Sequence, residues 1–188
     1  MKKIVLVHGL ISGLIVAAML FITVNNCYKK ENFEGSMWLG YASMLLAFSL
    51  VFVGVKRYRD KVNGGFISFG KAFKVGLFIT LIASTLYVIA WLFDYYLFMP
   101  DFGEKYAAYM LDKLRESGAS ATEIAKQTAE MADFTEMYKK PLYVILFTYV
   151  EILPVGLLVT LVAALILKRK ARIKGEGFEL EPGASAGR

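Results

Sequence analysis

The sequence predicts an all-α membrane protein, a bundle of four transmembrane helices with an extracytoplasmic amphipathic helical hairpin between helices three and four. Two observations support this fold class. Hydrophobic residues make up 57% of the 188 residues, whereas soluble domains are about 45–50% apolar. They also cluster into four long runs, and about 20 helical residues cross the roughly 30 Å hydrocarbon core. The predicted helices lie at about 4–24, 37–55, 71–98 and 142–167, in a single membrane domain of residues 1–170.

The first run, 4–24, contains no charged residue and follows Lys2 and Lys3. A signal peptide is the alternative interpretation, but the run exceeds the usual apolar length of about 7–15 residues and no small-residue cleavage site follows it. We therefore expect a retained helix. Gly9 and Gly13 have the G-x-x-x-G spacing that permits close approach of a second helix.

The second and third helices are joined by a basic connection, 56–74, with six Lys or Arg residues against one Asp. Its Asn-Gly-Gly sequence at 63–65 predicts a tight turn, since glycine tolerates positive φ. Near the end of the third helix, Asp94 lies about 6 Å from the outer end at 1.5 Å per residue. Trp and Tyr residues surround it, as at a membrane interface, so Asp94 is expected to be a solvated acid at the rim.

The segment at about 101–140 is too polar to span a membrane and shows two helical stripes. Gly118 separates them, and Ser120 to Glu123 have the spacing of a capping box that starts the second helix. The apolar stripes comprise Ala107, Met110, Leu111 and Leu114 in the first helix and Ile124, Met131, Phe134 and Tyr138 in the second. Two interpretations remain open: a hairpin packed on the mouth of the bundle, or a lid or partner-docking site.

The fourth helix contains one acid, Glu151, about nine residues from its start and so roughly 14 Å deep. No Lys or Arg of another helix lies at that depth, so the carboxyl group is expected to remain protonated and to form an interhelical hydrogen bond. Ser84 and Thr85 of the third helix lie at equal depth. Thr85 or Thr148 is the expected partner.

Pro154 follows three residues after Glu151 and cannot donate to the Val150 carbonyl, so a kink is expected there. Gly156 adds a position for close helix packing. Two interpretations of this stretch compete: a structural kink with an interhelical hydrogen bond, or a protonatable site for a proton or a solute. Glu151, Pro154, Gly156, Ser84 and Thr85 form the candidate intramembrane polar site, and Asp94 is the candidate rim site.

Basic residues are unevenly distributed between the two sides of the predicted bundle. Thirteen Lys or Arg residues flank one side and eight flank the other, where acids outnumber them. The positive-inside rule therefore predicts cytoplasmic N- and C-termini, in the cell (inner) membrane if the host is a bacterium. The basic segments are also expected to attract anionic lipid, at about 1 kcal/mol per cation. This explanation of the net charge of +6 leaves no reason to expect a nucleic-acid partner.

The residues that usually carry chemistry are scarce. Cys27 and His8 are the single cysteine and the single histidine. One cysteine excludes an intramolecular disulfide, and the two together are too few for a structural zinc site. His8 is expected to be a packed histidine rather than a proton relay. We therefore expect no catalytic, cofactor-binding or metal-binding residue.

Three stretches carry a resemblance to a known family: the connection "FVGVKRYRDKVNGGFISFGKAFKVGLFITLIAS", the aromatic and acidic residues from Tyr87 to Tyr95, and "EILPVGLLVTLVAALILKRK". Together they resemble the bacterial domain of unknown function (DUF) 4199 family, to about Lys170. The resemblance implies a small multi-pass membrane protein with a polar outer loop before the last helix. It implies no catalytic residues, because the family has no assigned activity.

The expected function is that of a non-enzymatic accessory, scaffold or envelope protein. Such a protein acts through helix–helix contacts, with itself as a homo-oligomer or with a membrane-protein partner. The alternative is a small oligomeric carrier that conducts a proton or a solute and uses Glu151 as its protonatable site. The segment 171–188 is expected to be a disordered cytoplasmic tail.

Overall fold

In the computed structural model, which describes residues 1–30, 33 and 36–169, the chain is all-helical. The helices are α1 (Lys2–Lys30), α2 (Ser36–Lys61), α3 (Phe69–Phe98), α4 (Phe102–Glu116), α5 (Ala121–Tyr138) and α6 (Pro141–Leu167). Four of them, α1, α2, α3 and α6, are long and apolar enough to cross a membrane. This confirms the predicted all-α fold with four candidate membrane spans. The tail predicted at 171–188 lies outside the described residues.

The four long helices pack against one another, and we call them the body. In the body α1 lies against α2 and α3, while α6 lies against α2 and α3. The shorter helices α4 and α5, which we call the hairpin, connect α3 to α6. The body therefore has a hairpin end and an opposite end, where α2 is connected to α3.

The glycine pair of α1 lies in its interface with α3. A Cβ atom built on Gly9 would lie 2.8 Å from the Ile82 Cβ. One built on Gly13 would lie 3.1 Å from the Ala83 Cα. The G-x-x-x-G spacing thus brings two parallel helices together within the chain, as small residues commonly do between membrane helices.

The opposite end of the body is closed by a short backbone bridge. Ile67 and Arg169 exchange two hydrogen bonds, of 3.0 and 2.8 Å between nitrogen and oxygen. Gly64 and Gly65, at φ +67° and +84°, form the turn expected from the Asn-Gly-Gly sequence. This bridge ties the connection between α2 and α3 to the end of α6 and buries Ile67 completely.

The hairpin turns at Gly118, which has φ +77°. Its second helix begins with the predicted capping box, because Ser120 and Glu123 bond to each other's backbone N–H groups. Ala107 and Tyr138, from the two predicted apolar stripes, are buried. The hairpin is thus built as its sequence predicts.

Candidate functional site

A partly open cavity of about 360 Å³ lies at the hairpin end, between the body and the hairpin. All six helices and Phe33 contribute to its lining. Nine of the seventeen lining residues are aromatic, namely Phe33, Tyr41, Tyr87, Trp91, Phe102, Tyr106, Phe134, Tyr138 and Phe147. The cavity is therefore a mainly apolar space where the ends of several helices meet.

The aromatic wall is held by hydrogen bonds as well as by ring contacts. The Trp91 Nε1 donates to the Tyr138 hydroxyl at 3.0 Å, which joins α3 to α5. The Trp91 and Phe102 ring centroids are 4.9 Å apart and nearly perpendicular, a favourable edge-to-face arrangement. Burial raises the pKa of the Tyr138 and Tyr106 hydroxyls, both on the hairpin. The Tyr138 and Tyr106 hydroxyls are accordingly neutral hydrogen-bond donors and acceptors in the aromatic wall.

Glu151 lines the cavity ten residues, or about 15 Å, along α6 from the start of that helix. Its carboxyl Oε1 accepts a hydrogen bond of 3.2 Å from the Tyr87 hydroxyl of α3. Glu151 is an exposed residue, and it is part of the cavity lining. The acid is thus available to a molecule inside the cavity.

The partners expected for Glu151 are bonded elsewhere. Thr85 lies on the exposed side of α3, where its hydroxyl bonds to the Leu81 carbonyl and to the Tyr149 hydroxyl. Thr148 lines the cavity but donates to the carbonyl one turn back on α6. The prediction of Thr85 or Thr148 as the partner is therefore wrong. Tyr87 reaches the carboxyl group because it lies on the face of α3 that is turned toward α6.

Three other predicted site residues lie outside the cavity. Ser84 is fully buried, and among the described residues its hydroxyl has no hydrogen-bond partner. Pro154 lies on the exposed side of α6, which continues through it as one helix. Gly156 lies in the packed layer beneath the cavity. The candidate intramembrane site is thus dispersed over several environments, and only Glu151 of its five residues lines the cavity.

Asp94 is not the solvated acid that its shallow depth suggests, since only 2% of it is exposed. The Asn25 side-chain amide donates to both of its carboxylate oxygens, at 3.1 and 3.3 Å. Asn25 is at the same height on α1, which packs along α3. The neighbouring helix, rather than water, therefore provides the polar partner.

Beneath the cavity, toward the opposite end, the body is closely packed. Phe48, Ser84 and Ile152 have no accessible surface. A Cβ atom built on Gly156 would lie 2.8 Å from the Phe48 Cζ, so the glycine allows α6 to touch α2. The Thr80 hydroxyl donates to the Gly156 carbonyl at 3.3 Å, joining α3 to α6. The cavity consequently ends at this layer.

Charged groups lie next to the lining residues Cys27 and Phe102, where α1 meets the start of the hairpin. The Tyr28 hydroxyl donates to the Asp101 carboxylate, and this hydrogen bond lowers the pKa of Asp101. The Lys105 ammonium lies 4.1 Å from the centre of the Tyr28 ring and 3.6 Å from the Asp101 carboxylate. These contacts among Tyr28, Asp101 and Lys105 fix the start of the hairpin to α1.

The other groups with chemical potential lie in ordinary structural environments. His8 is buried near the opposite end, and its Nδ1 is 2.8 Å from the Ile4 carbonyl oxygen. Ser43 lines the cavity, but its hydroxyl donates to the Gly40 carbonyl at 2.7 Å. Over residues 1–30, 33 and 36–169, no three His, Cys, Asp or Glu side chains converge as metal ligands.

Comparison with known proteins places the chain in a family. A family described as "Protein of unknown function (DUF4199)" matches residues 8–169, which is most of the chain and includes every residue that lines the cavity. The chain belongs to the DUF4199 family. Searches of curated proteins and of solved structures gave no match. The expected resemblance is thus confirmed, and the four long apolar helices indicate that this DUF4199 protein is a multi-pass membrane protein.

The sequence of this DUF4199 protein contained one overlooked signal for the cavity. Tyr87, Trp91 and Tyr95 recur at four-residue spacing and therefore share one face of α3. The interface belt expected around Asp94 consists of Trp91, Tyr95 and Tyr96. Trp91 and Tyr95 are instead buried against the hairpin, and Tyr87 is buried against α6. Four-residue spacing indicates a single packed face, whereas a belt requires only that the residues lie at the right height.

Proposed function

We propose that this DUF4199 protein is a non-enzymatic, membrane-embedded binding protein whose cavity receives a small amphipathic molecule. The observation that carries this proposal is the cavity itself, which combines an aromatic wall with the accessible carboxyl group of Glu151. Ligand sites are typically apolar cavities with a few well-placed polar groups. At about 360 Å³, this one is near the lower end of the usual range of about 300–1,000 Å³.

The polar groups of the cavity favour binding over catalysis. An activated serine or threonine needs a base within hydrogen-bonding distance of its hydroxyl. Ser43 and Thr148 instead donate to backbone carbonyls of their own helices. Glu151 is bonded to a phenol, Tyr87, which supports a role in holding a ligand.

We propose an orientation in which the hairpin and the cavity mouth face outward and both termini lie in the cytoplasm of a bacterial cell. The uneven distribution of Lys and Arg supports it, and the basic residues of the opposite end would then contact anionic lipid. The cavity would thereby receive its ligand from the outer leaflet or the outer surface. An accessory role follows, in which the liganded protein acts through contacts with a second copy or with another membrane protein.

A proton or solute carrier is the second candidate function. An accessible acid near the middle of a long apolar helix favours it, since such acids often mark ion pathways. The packed layer around Phe48, Gly156 and Ile152 favours the binding protein, because it separates Glu151 from the opposite end. Proton flux into liposomes distinguishes the two, since a carrier would lose its flux in Glu151→Gln and a binding protein would show none in either form.

Binding can be tested with a neutral amphipathic probe, N-phenyl-1-naphthylamine, in nanodiscs. Trp91 lines the cavity, and a Trp38→Phe background leaves it as the only tryptophan. We expect the probe to quench Trp91 fluorescence saturably. Ser43→Phe fills part of the cavity and should weaken this quenching at least about tenfold, the equivalent of 1.4 kcal/mol.

Ser49→Phe is the matched control. Ser49 is on the same helix and donates to the carbonyl three residues back, as Ser43 does, but it is exposed on the outside of the body. Its substitution should leave quenching unchanged. Equal quenching in all three proteins would show that the probe reports only its partition into lipid, and the proposed function would be wrong.

A further inference from the structure

We propose that the cavity binds an organic cation, a molecule with an amine or quaternary ammonium group on a compact apolar body. This inference rests on the proposed function and specifies its ligand class. The observation behind it is the charge of the lining. Among the seventeen described residues of the lining, Glu151 is the only one of an ionic type, and none is Lys, Arg or His.

The carboxyl group of Glu151 has unused capacity for a ligand. A carboxylate accepts about four hydrogen bonds, and the protein supplies one from the Tyr87 hydroxyl. An ionised acid in a low-dielectric space needs an opposite charge close by. A ligand cation supplies that charge, whereas an anion would be repelled and a neutral molecule would offer only hydrogen bonds.

The aromatic wall provides the second element of cation recognition. The face of a Trp, Tyr or Phe ring attracts a cation placed within about 6 Å of its centre, and aromatic cages bind quaternary ammonium groups in this way. Tyr87 contacts Glu151 directly. Trp91 and Phe147, which also line the cavity, lie one helical turn nearer the hairpin end than Tyr87 and Glu151. An ammonium group at the carboxylate would therefore lie beside aromatic rings, with an apolar space for its substituents.

A cation and a proton should compete for Glu151. A permanent cation binds the carboxylate form, so the carboxyl proton must leave to water when the cation enters. The titratable groups that face Glu151 across the cavity are Cys27 of α1, Tyr41 of α2, Tyr87 of α3, Tyr106 of α4 and Tyr138 of α5. Glu151 is the one carboxyl group among the described lining residues, so cation affinity should rise with pH as Glu151 loses its proton.

Tetraphenylphosphonium and tetraphenylborate are suitable probes because they share size and shape and differ in the sign of charge. Each is measured by Trp91 fluorescence in the Trp38→Phe background, in nanodiscs of phosphatidylglycerol. Each ion is compared between the parent protein and Glu151→Gln, so partition into lipid cancels. We expect Glu151→Gln to weaken tetraphenylphosphonium binding about tenfold at pH 7.5 and to leave tetraphenylborate unchanged or bound more tightly.

A second arm identifies the source of the ammonium group. Nanodiscs with phosphatidylethanolamine in place of half the phosphatidylglycerol present a lipid ammonium. If the native occupant is a lipid headgroup, tetraphenylphosphonium binding weakens in them. If the occupant is a free amphiphile, binding is the same in both membranes.

The outcomes separate this inference from the proposed function. If Glu151→Gln leaves tetraphenylphosphonium binding unchanged while N-phenyl-1-naphthylamine still binds, the cavity is a site for neutral molecules and cation selectivity is wrong. If neither probe binds, both proposals fail. Should Glu151→Gln not fold, the parent protein decides alone, since a cation affinity that does not rise with pH contradicts the role of Glu151.

Discussion

Asp94 and Asn25 show how an acid is accommodated inside the apolar part of the body. The amide of Asn25 reaches both carboxylate oxygens and also donates to the Phe21 carbonyl of its own helix. The hydrogen bond to Phe21 therefore orients the Asn25 amide toward Asp94. A buried acceptor that loses its donor costs the full desolvation of the group, about 1–3 kcal/mol. The pair should thus matter more than most polar contacts of α1.

Replacing Asn25 tests this pair. We expect Asn25→Leu to lower the free energy of unfolding by about 1–3 kcal/mol, because Asp94 stays buried without its donor. The double variant Asn25→Leu/Asp94→Leu should lose less, since no unpaired acid remains. Denaturation by dodecyl sulfate in mixed micelles measures both.

Asn26 supplies the control for Asn25, being the adjacent residue of the same type and exposed on α1. Asn26→Leu should change the free energy of unfolding by no more than about 0.5 kcal/mol. Equal losses from Asn25→Leu and Asn26→Leu would mean that the Asp94 contact contributes nothing.

The sequence predicts which residues of α3 lie at the same depth in the membrane as Glu151. Counting residues at 1.5 Å each placed Thr85 level with the carboxyl group, which was right in height. The sequence does not predict which side chains of α3 point toward α6. That depends on how the two helices are rotated about their own axes. Tyr87, two residues later, lies on the inner face, and its length lets the hydroxyl reach α6.

At the scale of elements, α1 and α3 depend on glycine for their close approach. A Cβ atom on Gly13 would meet the Leu86 Cβ at 2.9 Å and the Ala83 Cα at 3.1 Å. We expect Gly13→Ala to destabilise the protein by about 1–3 kcal/mol through overpacking, despite the better helix propensity of alanine. Thermal unfolding in micelles measures it.

Gly70→Ala is the matched control, since Gly70 lies in α3 and a Cβ atom there meets no heavy atom within 4 Å. It should be neutral or slightly stabilising, because alanine favours helix over glycine by up to about 1 kcal/mol. If Gly13→Ala changed the stability no more than Gly70→Ala does, the result would contradict the close approach of α1 and α3.

The capping box of α5 gives the hairpin a dependence on pH. Hydrogen bonds from the Ser120 backbone N–H and hydroxyl lower the pKa of Glu123. A lowered carboxyl pKa means that the contribution is complete above the unfolded value of about 4.3 and is lost as the pH falls through the folded value. Protection of the first-turn amides of α5 from hydrogen exchange should therefore decrease below about pH 4.

Glu123→Gln should remove most of this dependence on pH, and Glu130→Gln, farther along the same helix, should keep it. An identical acid response in both variants would assign the effect to another carboxylate.

The elements themselves were readable from the sequence to a large extent. Long apolar runs identify the four candidate spans, and Gly118 and the capping box identify the hairpin. The ends of the long helices were not predictable in this way, because α1 and α2 continue through charged residues to Lys30 and Lys61. A helix satisfies its own backbone hydrogen bonds, so it need not end where the hydrocarbon core ends.

At the scale of the whole molecule, the protein is packed at one end and holds a cavity at the other. The cavity was not predictable, because it is formed where all six helices and Phe33 converge, and no single stretch of sequence contains that convergence. The direction in which it faces the cell follows from orientation. In the proposed orientation, the cavity would take up its ligand from the outer leaflet or the outer surface.

Single-cysteine variants test the orientation. In a Cys27→Ser background, Ser117→Cys places a thiol in the exposed turn of the hairpin, and Val62→Cys places one in the exposed connection after α2. A membrane-impermeant maleimide should label Ser117→Cys in intact cells and Val62→Cys only after permeabilisation. The reverse pattern would invert the proposed topology.

The native Cys27 offers the most direct measurement of the central claim, that the cavity is a binding site. It is the only cysteine of the chain and lines the cavity near the hairpin end of α1. We expect N-phenyl-1-naphthylamine to slow the reaction of Cys27 with N-ethylmaleimide in the unmodified protein and in Ser49→Phe, and to have no such effect in Ser43→Phe. Equal reaction rates with and without the probe in all three proteins would contradict the claim.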